Sequence, residues 1–372
     1  MIEKISPSPF YVKFAQIIIG IIGLTYIMYV GQEIIVPLVF SLVIAILLNP
    51  LVNYLIRKRC NRIIAISIAV LLTTIFTLGL LYFIGSQMSM FSEALPQLKQ
   101  KFNTMFNDIV TWTSHNFNIS TYKIKSWIDT QKKEGMSNST AVIGQTLTTI
   151  SGILIIVVLM PVYIFLFLFY KPLLLEFIDK IFPDNKNETV KEVLTETRTL
   201  IQNYLVGLLI EAGIVAILNT AGLLILGIDY ALLLGIIGAL LNIIPYIGGI
   251  VAIALPMILA LATKEPIFAI YVLLVYTLVQ LIDNNLIVPK IVASKVKINA
   301  LASIVVVLIG GALWGVAGMF LSLPLSAICK VIFDRIDSLK PLGFLIGDNI
   351  PVVTIFKVKL KKKVASVKKP SN

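Results

Sequence analysis

Two carboxylates stand inside otherwise apolar stretches of the sequence. Glu211 lies early in the run 204–226, and Asp283 lies in the last third of the run 267–288, followed by Asn284 and Asn285. A charge at the centre of a membrane helix costs about 2.5–3.5 kcal/mol, so such a group usually faces a cavity or a partner. Removal from water favours the protonated carboxyl, so the pair predicts a proton or cation site. The alternative is that Glu211 snorkels to an interface and Asp283 caps the Asn-Asn segment.

A second group of residues interrupts the apolar stretch 232–261. Proline removes a backbone donor and paired glycines destabilise a continuing helix, so each half is left with about 13 residues, short of the roughly 20 needed to span a bilayer. The Asn242 amide is placed to satisfy freed backbone groups or to contact a solute. The interrupting residues are Asn242, Pro245, Gly248 and Gly249.

The stretch 298–332 is interrupted in the same way, about 68 residues later. Both stretches carry a Leu-Pro pair in the second half, and paired interrupted segments indicate a transporter's binding site. Its glycines predict close helix approach and exposed backbone groups. They are Gly310, Gly311, Gly315 and Gly318. We therefore expect two re-entrant hairpins, the alternative being two ordinary antiparallel helix pairs with tight turns.

Composition places these stretches in a membrane. The chain is 58% hydrophobic and 13% charged, about half the usual charged share. Its net charge of +12 is concentrated in loops and the tail, which indicates topology and makes nucleic acid a poor candidate partner. We predict an all-α polytopic membrane protein with six full spans, two hairpins forming an inverted repeat, and one polar helical insertion. The predicted spans are 14–30, 34–55, 63–84, 147–170, 204–226 and 267–288.

Loop charges predict the topology and the divisions of the chain. Four of the six residues in 57–62 are positive, so this loop and both termini are expected on the cytoplasmic side. The predicted divisions are a three-span region 1–84, an extracytoplasmic amphipathic helical insertion 85–145, a fourth span with a cytoplasmic amphipathic helix 146–203, a transport core 204–335 with hairpins 231–262 and 298–332, and a basic tail 336–372.

Enzyme chemistry has no signature in this sequence. We find no HExxH, P-loop or GxSxG pattern, the two cysteines adjoin no metal-ligand pattern, and the one histidine, His115, lies in the polar insertion. We expect neither catalysis, a metal nor a cofactor.

Two segments resemble the autoinducer-2 exporter family of bacterial permeases. They are the stretch from Asn242 through Pro245, Gly248 and Gly249 to Pro256, and the stretch from Gln280 through Asp283 to Lys290, followed by the glycine-rich 310–318 and Leu323-Pro324. The resemblance implies a location in the bacterial inner membrane, export of autoinducer-2 in some members, sodium/proton antiport in others, and a homo-oligomer, with a pentamer favoured. The chain departs from the family pattern at Gly249 and Asn299, where proline is common.

Three hypotheses follow. The leading one is a secondary transporter that exports a small polar solute, for example one similar to autoinducer-2. In this hypothesis Asp283 and Glu211 couple transport to protons, and the hairpin tips 245–249 and 310–318 form the site. The second is a Na⁺ or Li⁺/H⁺ antiporter, in which Asp283, Asn284 and Asn285 offer the oxygen ligands that a hard cation prefers. The third is a non-transporting membrane scaffold that works through its outer insertion. Besides the solute or monovalent cation, membrane lipids are expected partners.

Overall fold

The fold is a set of helices, known from a computed structural model that describes residues 9–117, 158–182, 187–244, 248–293 and 298–348. No strand occurs in these ranges; one isolated bridge joins Ile298 and Gly347. The helices are α1 (Phe10–Val30), α2 (Gln32–Arg57), α3 (Arg62–Phe117), α4 (Val158–Phe169), α5 (Lys171–Ile181), α6 (Asn187–Ile225), α7 (Ala231–Asn242), α8 (Gly248–Thr263), α9 (Ile267–Ile282), a π-helical segment (Asp283–Ala293), α10 (Ala300–Arg335) and α11 (Lys340–Ile346).

Within the described ranges, six helical segments are long and apolar enough to cross a membrane. They are α1, α2, the first part of α3, α6, α9 with the π-helical segment, and α10. A further pair, α4 and α5, is apolar but bends by 61° between its two helices. These helices confirm the predicted class, an all-α polytopic membrane protein.

The third span does not stop at the predicted interface. α3 is 56 residues long and runs as one helix from the third span into the predicted insertion. The predicted division between residues 84 and 85 falls inside this helix. The rest of the predicted insertion, from residue 118, and the first part of the fourth span, up to residue 157, lie outside the described residues.

The fifth span is longer than its apolar stretch. α6 runs without a break from Asn187 to Ile225, so the polar helix predicted before residue 204 and the fifth span are one element. Its polar end is tied to the end of α10, because Arg335 bonds Glu196 at 2.6 Å and lies 3.8 Å from Glu192. The polar residues before 204 therefore belong to the same continuous helix as the apolar span.

The first hairpin consists of α7 and α8. They pack together with α6 and α9 around a buried core that includes Leu223, Leu234, Leu259 and Val272. Gly248 is required at the start of α8, because a Cβ there would collide with the Leu241 carbonyl. Pro245, predicted in the turn, lies outside the described residues.

The second hairpin is contained in α10, which reverses direction inside the element. Trp314 and Gly315 depart from helical geometry, and Gly315 has φ +59°, ψ −141°, a conformation that glycine adopts readily. The two arms touch through Gly310 and Gly318, whose backbones approach so closely that a Cβ on either would collide with the other. Trp314 fixes the tip against α1 by donating its indole N–H to the Met28 carbonyl at 2.9 Å.

The segment before the second hairpin is joined to the C-terminal end of the described chain. Asn299 caps α10 by accepting from the Ala302 N–H at 2.9 Å. Its Nδ2 donates to the carbonyls of Leu345 at 2.7 Å and Gly347 at 3.0 Å, which holds α11 beside the start of α10. The basic part of the predicted tail, from residue 349, lies outside the described residues.

Candidate functional site

A cavity of about 910 Å³ lies where the two hairpins meet the fifth and sixth spans. Five α-helices, the π-helical segment and the residues before α10 contribute to it, and its wall combines apolar side chains with a few polar ones. The polar lining residues are Tyr204, Glu211, Asn242, Tyr276, Thr277, Gln280, Asp283, Asn284 and Ser303. Leu208, Ile250, Ile253 and Leu323 are among the apolar ones. Such a mixed wall is typical of a small-molecule site.

Asp283 is the most enclosed polar residue of this wall, with 1% of its surface exposed. It begins the π-helical segment, where the regular hydrogen-bonding of α9 changes. Asn242, at the end of α7, donates from Nδ2 to Asp283 Oδ2 at 2.8 Å. Asp283 Oδ1 has no hydrogen-bond partner among the described residues. One carboxylate oxygen is therefore fixed by the first hairpin, and the other is left for a proton, a cation or a solute.

Glu211 brings a second carboxyl group to the cavity from α6 and is 6% exposed. Tyr204 and Leu208 line the cavity from the same helix, at the spacing of one face. The charges of Glu211 and Asp283 interact. No Lys, Arg or His is among the described residues that line the cavity, so the two carboxyl groups share it without a basic partner.

The two spans present their polar groups in the same register. Tyr204 precedes Glu211 by seven residues, and Tyr276 precedes Asp283 by seven residues, so each tyrosine lies on the face of its acid. All four residues line the cavity. This shared spacing agrees with a predicted repeat in which each unit consists of a full span and the hairpin that follows it.

Gly249 lets α8 approach the sixth span closely. A Cβ at Gly249 would lie 2.7 Å from Gln280 Oε1 and 3.5 Å from Asn242 Oδ1. Gln280 in turn donates from Nε2 to Asn284 Oδ1 at 3.3 Å. A line of amide groups therefore runs along this wall beside Asp283.

The structure brings together five of the residues that the sequence singled out and places the others elsewhere. The five on the cavity wall are Glu211, Asn242, Gly249, Asp283 and Asn284. Asn285 is exposed and donates to the Leu281 carbonyl of its own helix at 2.8 Å, so it is not a lining residue. Gly248 serves the turn of the first hairpin, and Pro245 lies outside the described residues.

The glycines of the second hairpin are also away from the cavity. Gly310, Gly311, Gly315 and Gly318 form the turn and the contact between the two arms, and the tip packs on α1. What α10 gives to the cavity is Ala300 and Ser303 from its beginning and Leu323 from its second arm. The second hairpin therefore contributes its arms, and the first contributes residues next to its tip.

Sequence reasoning missed Tyr204, Tyr276, Gln280 and Ser303 as lining residues. A signal was present for the first three, because they share a helix face with Glu211 or Asp283. Ser303 had no such signal, since it reaches the cavity only through the fold of α10. Within the described ranges, no three His, Cys, Asp or Glu side chains gather closely enough to hold a metal ion.

Comparison with known proteins identifies the family of the chain. The model of the AI-2E family transporter matches residues 17–338. The chain is similar to AI-2 transport protein TqsA of Escherichia coli (25% identical, covering 89% of this chain and 95% of that protein). It is also similar to the putative transport proteins YhhT of E. coli (25%, covering 91% and 94%) and YueF of Bacillus subtilis (24%, covering 81% and 83%). Because the family model matches most of the chain, residues 17–338, the chain belongs to the AI-2E family of transporters.

Proposed function

We propose that this protein is a secondary transporter that exports a small polar solute and couples export to protons through Asp283 and Glu211. The observation that carries the proposal is one cavity, between two hairpins, that contains both buried carboxyl groups. We expect the protein to move the solute without changing it chemically.

The coupling follows from electrostatics. Two carboxylates that share an enclosed site repel each other, and a proton on one of them removes the repulsion. Neutralising a charge also lowers the cost of exposing the site to apolar surroundings as the hairpins move. Protonation therefore changes the balance between a cavity open to one side of the membrane and a cavity open to the other side. Coupling requires that the proton interact differently with these two states.

The volume of the cavity supports a small-molecule solute, and the polar side chains on its wall support a polar one. A cavity of about 910 Å³ is at the upper end of ordinary ligand pockets, which span roughly 300–1,000 Å³. The amides of Asn242, Gln280 and Asn284 can both donate and accept, as recognition of hydroxyl groups requires. A relative is named an AI-2 transport protein, which makes autoinducer-2 the first solute to test.

Efflux from proteoliposomes tests this proposal. Vesicles are loaded with isotopically labelled autoinducer-2, a pH gradient is imposed, and initial efflux is compared for the unaltered protein, Glu211→Gln and Asp283→Asn. We expect gradient-driven efflux that falls strongly in both variants. Efflux with unchanged rate and pH dependence in both would remove Asp283 and Glu211 from the coupling mechanism.

Export of a monovalent cation in exchange for protons is the second candidate. The unpartnered Asp283 Oδ1 supports it, because a carboxylate with neighbouring amide oxygens suits a hard cation. In this case the cavity would use Asp283, Glu211 and Asn284; Asn285, first considered with them, bonds its own helix. Addition of Na⁺ or Li⁺ to vesicles with an imposed pH gradient would collapse that gradient, and Asp283→Asn would prevent the collapse.

The membrane setting completes the proposal. We propose that the protein lies in the bacterial inner membrane with both termini cytoplasmic. The positive loop 57–62 supports this orientation. A homo-oligomer, with a pentamer favoured, is the proposed assembly. A non-transporting scaffold predicts that removal of residues 88–140 abolishes function, whereas the transport proposal predicts that flux partly survives.

A further inference from the structure

A cluster of positive side chains lies outside the transport cavity, at the bend between α4 and α5. Lys171 is the first residue of α5, Arg62 begins α3, and Arg198 lies on the polar end of α6. Burial lowers the pKa of the Lys171 ammonium, and the nearby charges of Arg198 and Arg62 lower it further. Three different parts of the chain thus bring like charges together.

No carboxylate compensates this cluster in the described part of the chain. The ion pairs there join other residues: Glu192 and Glu196 pair with Arg335, and Glu176 pairs with Lys180. Arg62 is partly compensated, because it donates to the carbonyls of Leu168 at 3.1 Å and Phe169 at 2.6 Å at the end of α4. Among the residues that the structure describes, Lys171 and Arg198 have no anionic partner.

Asn49 adds a hydrogen-bond donor to the cluster of positive side chains. Lys171 Nζ donates to Asn49 Oδ1 at 3.0 Å, which turns the Asn49 carbonyl toward the lysine. Asn49 is 5% exposed, and its Nδ2 has no hydrogen-bond partner among the described residues. A buried donor without an acceptor destabilises the folded protein, so we expect an acceptor to be bound here.

The position of α5 indicates where that acceptor comes from. α5 has 11 residues, too few to span, and turns 61° away from α4. None of its residues is buried, and Leu173, Phe177 and Ile181 are exposed at the spacing of one helix face. A short helix with an exposed apolar face beside a span lies in the membrane interface. In that position its first residue, Lys171, would lie at the depth of lipid headgroups.

We infer that Lys171, Arg198, Arg62 and Asn49 form a binding site for the phosphate of an anionic phospholipid. The exposed apolar face of α5 packs against the acyl chains. The three basic side chains and the Asn49 amide bind the phosphate of the headgroup. Basic pockets between membrane helices bind anionic headgroups by the same chemistry. This site is separate from the transport cavity, and its test does not depend on the transport proposal.

Native mass spectrometry of the full-length protein in neutral detergent tests the site. Binding of phosphatidylglycerol and of phosphatidylcholine with identical acyl chains is compared in the unaltered protein, Lys171→Gln/Arg198→Gln, and the control Lys180→Gln/Lys191→Gln, which removes the same charge from the same two helices. We expect phosphatidylglycerol to bind more tightly than phosphatidylcholine. The first pair should weaken phosphatidylglycerol binding about 30-fold, and the control pair should leave it unchanged.

Three results would overturn the inference: equal binding of the two lipids, equal weakening by both double variants, or unchanged binding in Lys171→Gln/Arg198→Gln. Displacement of phosphatidylglycerol by inorganic phosphate at equal concentration would make this a site for free anions and would also overturn it. If the double variant does not fold, Asn49→Asp decides, because its carboxylate would pair with Lys171 and exclude the phosphate. Binding of phosphatidylglycerol by Asn49→Asp as tightly as by the unaltered protein would contradict the site.

Discussion

At the scale of single residues, the hydrogen bond from Asn242 to Asp283 joins the first hairpin to the sixth span. The donor belongs to a side chain at the break between α7 and α8, and the acceptor belongs to the most buried acid of the cavity. A change in the position of the hairpin therefore changes the environment of the carboxylate directly.

Asn242→Ala should slow transport by roughly 10- to 100-fold, because a hydrogen bond to a charged group contributes about 1.5–3 kcal/mol. The measurement is the initial rate of gradient-driven flux at equal amounts of reconstituted protein. Asn285→Ala is the matched control, since Asn285 is exposed and donates a hydrogen bond within its own helix. This variant should transport at the normal rate. Equal losses in the two variants would show that the Asn242 contact has no special role.

Gly315 provides a second prediction at this scale. Its φ of +59° strains any residue with a Cβ, while the space around it is open, so Gly315→Ala should cost about 1–3 kcal/mol through the backbone alone. Gly213 also has open space but has a helical backbone, so Gly213→Ala should leave stability equal or higher. Thermal unfolding in detergent compares them, and a Gly315→Ala melting temperature at or above that of Gly213→Ala would contradict the assigned turn.

At the scale of elements, the second hairpin is held at both ends. Trp314 fixes its tip to α1, and Arg335 and Asn299 fix the open end to α6 and α11. Because Ile298, Ala300 and Ser303 line the cavity beside Asn299, the open end determines the shape of the cavity wall.

Asn299→Ala should loosen that end by removing the cap of α10 and two bonds to α11. The lost cap alone accounts for about 0.5–2 kcal/mol. Hydrogen exchange should become faster in α11, residues 340–346, and at the start of α10. Asn116→Ala, which removes only a bond within α3, should leave exchange in these segments unchanged. Identical exchange in α11 in both variants would contradict the tether.

Much of the element layout could be predicted because it depends on local chemistry. The Asn, Pro and Gly residues between α7 and α8, and the glycines around Gly315, weaken a helix wherever they stand. The contacts that complete the site could not be predicted in the same way. The packing of Trp314 on Met28, the approach of Ser303 to Asp283's cavity and the turn of Asn285 toward its own helix depend on residues far apart or on one rotamer.

At the scale of the whole molecule, hairpins and spans form one framework around one pair of acids. α6 precedes the first hairpin, α9 precedes the second, and each span presents a tyrosine seven residues before its acid. With opposite orientations of the two units, as the inverted repeat predicts, rocking of one unit against the other would expose the cavity to each side in turn.

The orientation of the whole chain is testable through its own thiols. Cys60 lies between α2 and α3 in the positive loop, and Cys60 and Cys329 are free. In a Cys329→Ser background, a membrane-permeant maleimide should label Cys60 in intact cells, and an impermeant maleimide should label it only after lysis. Labelling of intact cells by the impermeant reagent would place this loop outside and reverse the proposed topology.

The most direct measurement of the central claim is the movement of protons with solute in sealed proteoliposomes. A lumenal pH dye is followed after addition of autoinducer-2 and, separately, of Na⁺. We predict a change in lumenal pH that requires the solute, is lost in Asp283→Asn and Glu211→Gln, and persists in Asn285→Ala. A change driven by Na⁺ and not by the solute, or a solute-driven change that both acid variants retain, would contradict proton-coupled solute export through this cavity.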